Sequence, residues 1–278
     1  MKTIRASQRG FGLISLLIAL TIGVFLLAGL FDLWLQTRNT FNAQGSLAQL
    51  QDNERIALTL MSSITQSAGY YPLTENYVTP ANPTPPSIPF TAANVFVAGD
   101  NAAGTFSAGQ FVIGTGAAAD TTTSDTLAVR FMSDGNAGAG ENANASNLDC
   151  QGQIQPDRTL VTNLYQIDNQ GNLTCTVITT TTAGATNTTN PQPIVTGISV
   201  MKVLYGVDPT GTESSPSEYM DAATVAANTQ WTNVRSIKVT LTFKNPLAPL
   251  TGPAVAGQPA TLPPISQIVA VTQTTNVI

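Results

Sequence analysis

The order of apolar and polar positions divides the chain into three regimes. From Phe11 to Phe31 no charge interrupts an almost wholly apolar run. Wound as a helix at about 1.5 Å per residue, such a run covers about 30 Å, the thickness of one hydrocarbon core. The helical pattern then continues. In QTRNTFNAQGSLAQLQDNERIALTLMSSITQSAGYYP, apolar residues recur near helical spacing at Phe41, Leu47, Ala48, Leu50, Ala57, Met61, Ile64 and Ala68. Asp52, Glu54 and Arg55 lie off that stripe. No proline intervenes before Pro72, and Gly69 is placed to cap the end. Gly45 is a weak point, costing about 1 kcal/mol relative to alanine. The pattern predicts one long helix, apolar all round in its first half and one-faced in its second.

After Gly69 the periodicity changes. TPANPTPPSIP, Thr79 to Pro89, is a proline-rich loop that cannot continue a helix or a central strand. Strands are expected at VFVA, QFVIG, TLAVRFM, TLVTNLYQI, LTCTVI, VMKVLYGV, VRSIKVTLTF and IVAVTQTTNV. DNQGN between TLVTNLYQI and LTCTVI reads as a hairpin turn. SPSEYMDAATVAAN has room for a short helix, and residues 133–149 and 178–193 read as exposed loops. Most of these runs are too close together for helical crossovers, so antiparallel pairing is expected. The fold class is therefore α+β: a long N-terminal helix whose amphipathic half packs on an antiparallel sheet domain with long loops.

Flanking charge orients the apolar run. Lys2, Arg5 and Arg9 precede it and hold the N-terminus in the cytoplasm. A secretory signal has a shorter apolar region and a small-x-small cleavage site; neither is present here. Asp32 lies near the end of the run; an acid within a membrane marks a function or a partner, but this one is close enough to the boundary to be hydrated, which is the favoured reading.

Composition narrows the function. The chain carries 11 basic and 16 acidic residues, a net charge of −5. Beyond the helix the basic residues Arg130, Arg158, Lys202, Arg235, Lys238 and Lys244 are scattered, which does not suit a phosphate track, so no direct nucleic-acid binding is expected. The chain has no histidine, which excludes Ser-His-Asp, Cys-His and His-metal sites. A carboxylate pair could still serve a hydrolase, but no motif singles one out. Asp134, Glu141 and Asp149 do not match a calcium loop, and GAGENA lacks the strand-loop-helix context of a dinucleotide site. No cofactor or metal is expected. Cys150 and Cys175 form an even pair in a chain read as exported, which points to a disulfide; two buried free thiols are the alternative.

The leader residues RGF followed by an apolar helix resemble the class III signal of type IV pilins and pseudopilins. The blocks AQLQDNERIALTLMSSITQSAGYYP, SDTLAVRFM, NLDCQGQ, GNLTC and GISVMKVLYGVDPTG…WTNVRSIKVTLTF together resemble PilW-type minor pilins. The resemblance implies cleavage between Gly10 and Phe11 by a prepilin peptidase, with N-methylation of Phe11. It implies four regions: a leader over 1–10, a transmembrane half-helix over 11–35, an amphipathic periplasmic half over 36–69, and a β-rich head over 70–278. The implied role is a non-catalytic minor pilin that enters the inner membrane and, with other minor pilins, primes or caps the type IV pilus. Its implied partners are other minor pilins, the major pilin and a large pilus-tip adhesin, and its implied destination is the filament, at or near the tip. A J-type minor pseudopilin of type II secretion is the near alternative. A membrane-tethered adhesin or receptor, or a periplasmic hydrolase, is the alternative of another class.

One position departs from the family. Pilins carry glutamate as the fifth mature residue, where it neutralises the terminal amine of a neighbouring subunit; here that position is Ser15. A serine can accept a hydrogen bond but cannot compensate a charge in an apolar setting. Two readings follow: a subunit that caps the tip, or a rare subunit that tolerates the loss.

Overall fold

The first element, α1, is a single uninterrupted helix over Leu13–Gln66, 54 residues long. The computed structural model describes residues 12–71, 92–133, 148–181, 184–212, 215–248 and 259–271. Contacts divide the chain into two units, residues 1–49 and 50–278. In the described part of the first unit α1 is exposed nearly throughout, including Phe41 and Leu47. In the second unit α1 buries Ala57, Met61, Ile64 and Thr65, with Ala68 just beyond its end. Only the later part of the apolar stripe thus enters this chain's own core.

The end of α1 is tied to the sheet. Ser67 and Ala68 donate their N–H groups to Ile64 O and Thr65 O, tightening the last turn. Gly69 adopts φ +80°, a conformation that costs glycine no steric clash. Its N–H donates not to a helix carbonyl, as a cap would, but to Arg130 O at 2.9 Å. The glycine therefore ends the helix by turning the chain onto a strand.

A short helix α2 (Ala92–Val95) leads into a hairpin of β1 (Gly99–Asn101) and β2 (Gly104–Phe106). The first large sheet comprises β3 (Val112–Thr115), β4 (Thr126–Met132), β5 (Leu160–Ile167), β6 (Leu173–Thr180) and β7 (Thr186–Thr188), in that order. β8 (Gln192–Val195) shares the outer edge of β6 with β7. The second sheet contains β9 (Ile198–Val207), β10 (Glu218–Met220), β11 (Val234–Phe243) and β12 (Ile265–Ala270), in the order β10-β9-β11-β12. A helix α3 (Ala222–Ala227) and a 3₁₀ turn (Trp231–Asn233) lie between β10 and β11. Every strand pair among the described residues is antiparallel. A long apolar helix followed by antiparallel sheets is an α+β, pilin-like arrangement.

The core joins the inner faces of both sheets to α1 through Met61, Phe131, Tyr165, Leu173, Met201 and Leu241, among others. In β11 Val234 and Ile237 both point inward although three positions apart. A register shift between Val234 and Ser236 accounts for this, because one extra residue restores the facing.

Two expectations need correction. VFVA, Val95 to Ala98, is not a strand: Val95 closes α2, and Phe96 N–H donates back to Ala92 O. Phe96 is buried against Tyr71 and Phe111, at ring separations of 6.0 and 6.3 Å. Its apolarity serves packing rather than a ladder. Residues 178–193 are not all loop: they contain β7 and the start of β8. The expected proline-rich loop at Thr79–Pro89 and most of the 133–149 loop lie outside the described residues.

Candidate functional site

The surface with the clearest chemical character is the first part of α1. Leu13, Ile14, Leu20, Phe25, Leu27 and Phe31 all stand exposed. This is the one described helix long and apolar enough to cross a membrane. Its polar groups are satisfied within the helix: Ser15 Oγ donates to Gly12 O at 2.7 Å, and Thr21 Oγ1 donates to Ile18 O at 2.8 Å. Such back-bonding leaves no unpaired donor to penalise burial in lipid.

The apolar run ends in groups that suit an interface. Phe31 and Trp34 stack at 5.9 Å, and the Arg38 guanidinium lies 5.5 Å from the Trp34 ring centroid. Asp32, Trp34 and Arg38 together make an amphipathic collar of the kind enriched at membrane–water boundaries. Of the residues singled out in the sequence, Ser15 sits on the exposed first turns of α1. Gly10 and Phe11 lie outside the described residues.

In the second unit Cys150 and Cys175 are bonded, with Cα atoms 6.2 Å apart. Cys175 is a central residue of β6, opposite Tyr165 of β5, and Cys150 precedes β5. Cys150 N–H also donates to Asn163 Oδ1 at 3.1 Å. Next to it Asp149 is buried and organises a tight loop, accepting from Gln151 N, Gln153 N and Gln155 Nε2. Its oxygens are occupied by the protein rather than turned outward. The bridge therefore fastens this loop to β6 of the first sheet.

Sequence reasoning missed the junction between the sheets. Asp125, just before β4, is buried, and Lys202 of β9 reaches it at 2.6 Å. Asp125 Oδ2 also accepts from Val203 N–H at 2.8 Å. Asp125 N–H donates to Met201 O, and Met201 N–H donates to Ser124 Oγ. The segment leading into one sheet thus bonds along the central strand of the other. SD before an apolar strand and a lone lysine inside VMKVLY were its only traces.

Arg130 is a second missed group. It is buried beneath the Phe106 ring, 4.4 Å from the centroid, and donates to Gln110 O and Val97 O. Burial pushes its guanidinium down to about 10. It holds the 92–111 excursion against β4. Tyr165 and Tyr205 are fully buried, and burial raises both phenols above their ordinary range, with Asp149 and Asp125 respectively adding to the shift.

Asp125 and Asp168 line one open cleft of about 500 Å³. Both carboxylates are committed: Asp168 accepts from Gln170 N, Asn172 N and Asn172 Nδ2, which builds the β5–β6 turn. These bonds, led by that from the Asn172 backbone, hold its carboxyl below the usual range. The cleft offers structure-forming carboxylates rather than a free acid and base.

An exposed apolar helix that continues into the core of antiparallel sheets defines a pilin-like class of protein. Comparison with known families agrees. The prokaryotic N-terminal methylation motif matches residues 5–31. The family described as type IV pilus-assembly protein W matches residues 164–260, from within β5 to just before β12. Together the two matches support a PilW-type minor pilin of the type IV pilus. No curated protein and no solved structure matches the chain.

Proposed function

We propose that this chain is a non-catalytic minor pilin that waits in the inner membrane and, with other minor pilins, primes or caps the growing type IV pilus. The observation that carries this reading is the continuity of α1. One helix presents an uncharged, exposed surface over its first turns and supplies Ala57, Met61 and Ile64 to the core of the β-rich unit. A simple tether needs no such extension. A helix that leaves lipid for a bundle of like helices uses both parts.

In this reading a prepilin peptidase cleaves between Gly10 and Phe11, and Phe11 is methylated. Residues 11–35 anchor the protein with the head in the periplasm, before transfer to a filament at or near its tip. The processing partner and the other pilins follow from the methylation motif and the pilus-assembly match. The test is genetic. Deleting the gene should strongly reduce the number of surface filaments, and Gly10→Val, which blocks processing, should reproduce the loss. Normal filament numbers with an unprocessed Gly10→Val protein would overturn the proposal.

A further inference from the structure

The edges of the two sheets differ in how they are protected. Exposed strand edges template pairing with other chains, and proteins guard them with short strands, prolines, charges or cover. β3 has four residues, and Gly116 O just beyond it accepts from Ala223 N–H of α3. β7 has three residues, β8 contains Pro193, and β10 has three residues and carries Glu218. Among the described residues β12 has none of these devices. It is six residues long, ISQIVA, with no charge and no proline. No charged residue occurs anywhere from Asn245 to Ile278.

The ladder shows which groups face outward. Val271 N–H donates to Arg235 O, and Val269 pairs with Ile237 in the same register. Alternate residues of a strand direct their backbone groups to opposite edges. Residues 265, 267, 269 and 271 therefore serve β11. Ser266, Ile268 and Ala270 turn their N–H and C=O groups to the free edge, and their side chains are exposed. Ile268 keeps 56% of its surface exposed. Pro264, next in the same phase, has no N–H and closes this row.

We propose that the free edge of β12 pairs antiparallel with β12 of a second copy of this chain, centred on Ile268. Two requirements select that register. Residues opposite one another must share a face, and those that exchange bonds must all point outward. Centring on Ile268 places Ile268 opposite itself and Ser266 opposite Ala270, so every outward N–H and C=O finds a partner. Centring on Gln267 would set Pro264 opposite Ala270 and lose a donor. The pairing is isologous and closes as a dimer. It opposes no like charges and joins the two four-stranded sheets into one. A lone strand pair buries less than a stable interface needs. Its strength in the cell comes from two copies confined to one membrane, which raises their effective concentration. The register stands on the sheet geometry alone, whereas its strength rests on the membrane anchoring read for α1.

The test is register-specific cross-linking of the full-length protein in native membranes. Both native cysteines are already bonded to each other. Ile268→Cys places two thiols on opposed residues with Cα atoms about 5.5 Å apart, within disulfide reach. Mild oxidation should give a species of twice the subunit mass. Ser266→Cys alone leaves the two thiols about 14 Å apart at four residue steps and should give at least tenfold less. The double variant Ser266→Cys with Ala270→Cys should restore the dimer. Adding Ile268→Pro, or Ile268→Lys if proline lowers the amount of folded protein, should abolish it. Equal cross-linking by Ser266→Cys and Ile268→Cys, no dimer from Ile268→Cys, or an adduct of any other mass would each overturn the proposal. The last outcome would assign the edge to a different protein.

Discussion

At the residue scale the molecule depends on a few buried polar pairs. Asp125 and Lys202 link the sheets, and Asp125 also satisfies the Val203 N–H. Asp125→Ala should lower the stability of the folded protein by about 2 kcal/mol, because it removes the ion pair of the partly buried Lys202 ammonium, which keeps only the Ala117 and Thr123 carbonyls, and leaves the Val203 N–H without its acceptor. Lys202→Met in the same chain should recover part of that loss. Denaturant titration of the single and double variants measures both. Asp221 caps α3, accepting from Thr224 N–H, and also accepts from Ala118 N–H. The Thr224 side chain, followed by the Ala118 and Thr224 N–H groups, holds its carboxyl below the usual range. A depressed folded value adds stability that is complete above the unfolded value of about 4 and is lost as pH falls through the folded value. Asp221→Asn should therefore destabilise the protein at pH 7, where one amide oxygen cannot accept from both N–H groups, and should flatten the acid limb of stability. The Cys150–Cys175 pair was legible from an even count in a chain read as exported. The Asp125–Lys202 pair was not, because its members stand 77 positions apart with no local pattern joining them.

At the element scale one helix answers to two environments. Met61 is fully buried, and Met61→Ala should cost about 2–4 kcal/mol in thermal or chemical unfolding. Phe41 belongs to the same sequence stripe yet is 69% exposed, so Phe41→Ala should change unfolding by less than about 0.5 kcal/mol. If Phe41 serves contacts with neighbouring helices, that variant should nonetheless reduce filament numbers. Periodicity revealed the helix and most strands because burial on one face imposes a period of 3.6 or 2. It could not say which turns of the stripe are covered by this chain and which are left for others. It also misread VFVA, since an apolar run records burial and not backbone geometry. The Thr-rich stretch at 178–193 was hidden for the opposite reason: edge strands exposed on both faces carry no alternation, as the wholly exposed β7 shows.

At the scale of the whole molecule, the disulfide and α1 set the terms of durability and assembly. Replacing Cys150 and Cys175 together with serine should cost about 3 kcal/mol, the loop-closure entropy of roughly 25 residues, seen as a lower unfolding midpoint. Ser15→Glu tests the departure at the fifth mature position. Increased incorporation along the shaft would support a tip-capping role for the serine, and unchanged incorporation would count against it. The uninterrupted run of α1 across the boundary between the two units has a mechanical corollary. No coil interrupts the helix between Leu13 and Gln66, so a pull along it is borne by helical turns. Residues 50–66 are braced by the core, whereas Gly45 stands in open space. Tension should therefore unwind the rod first around Gly45. Gly45→Ala meets no steric obstacle and should stiffen that stretch by about 1 kcal/mol, raising the force at which a single tethered molecule begins to extend.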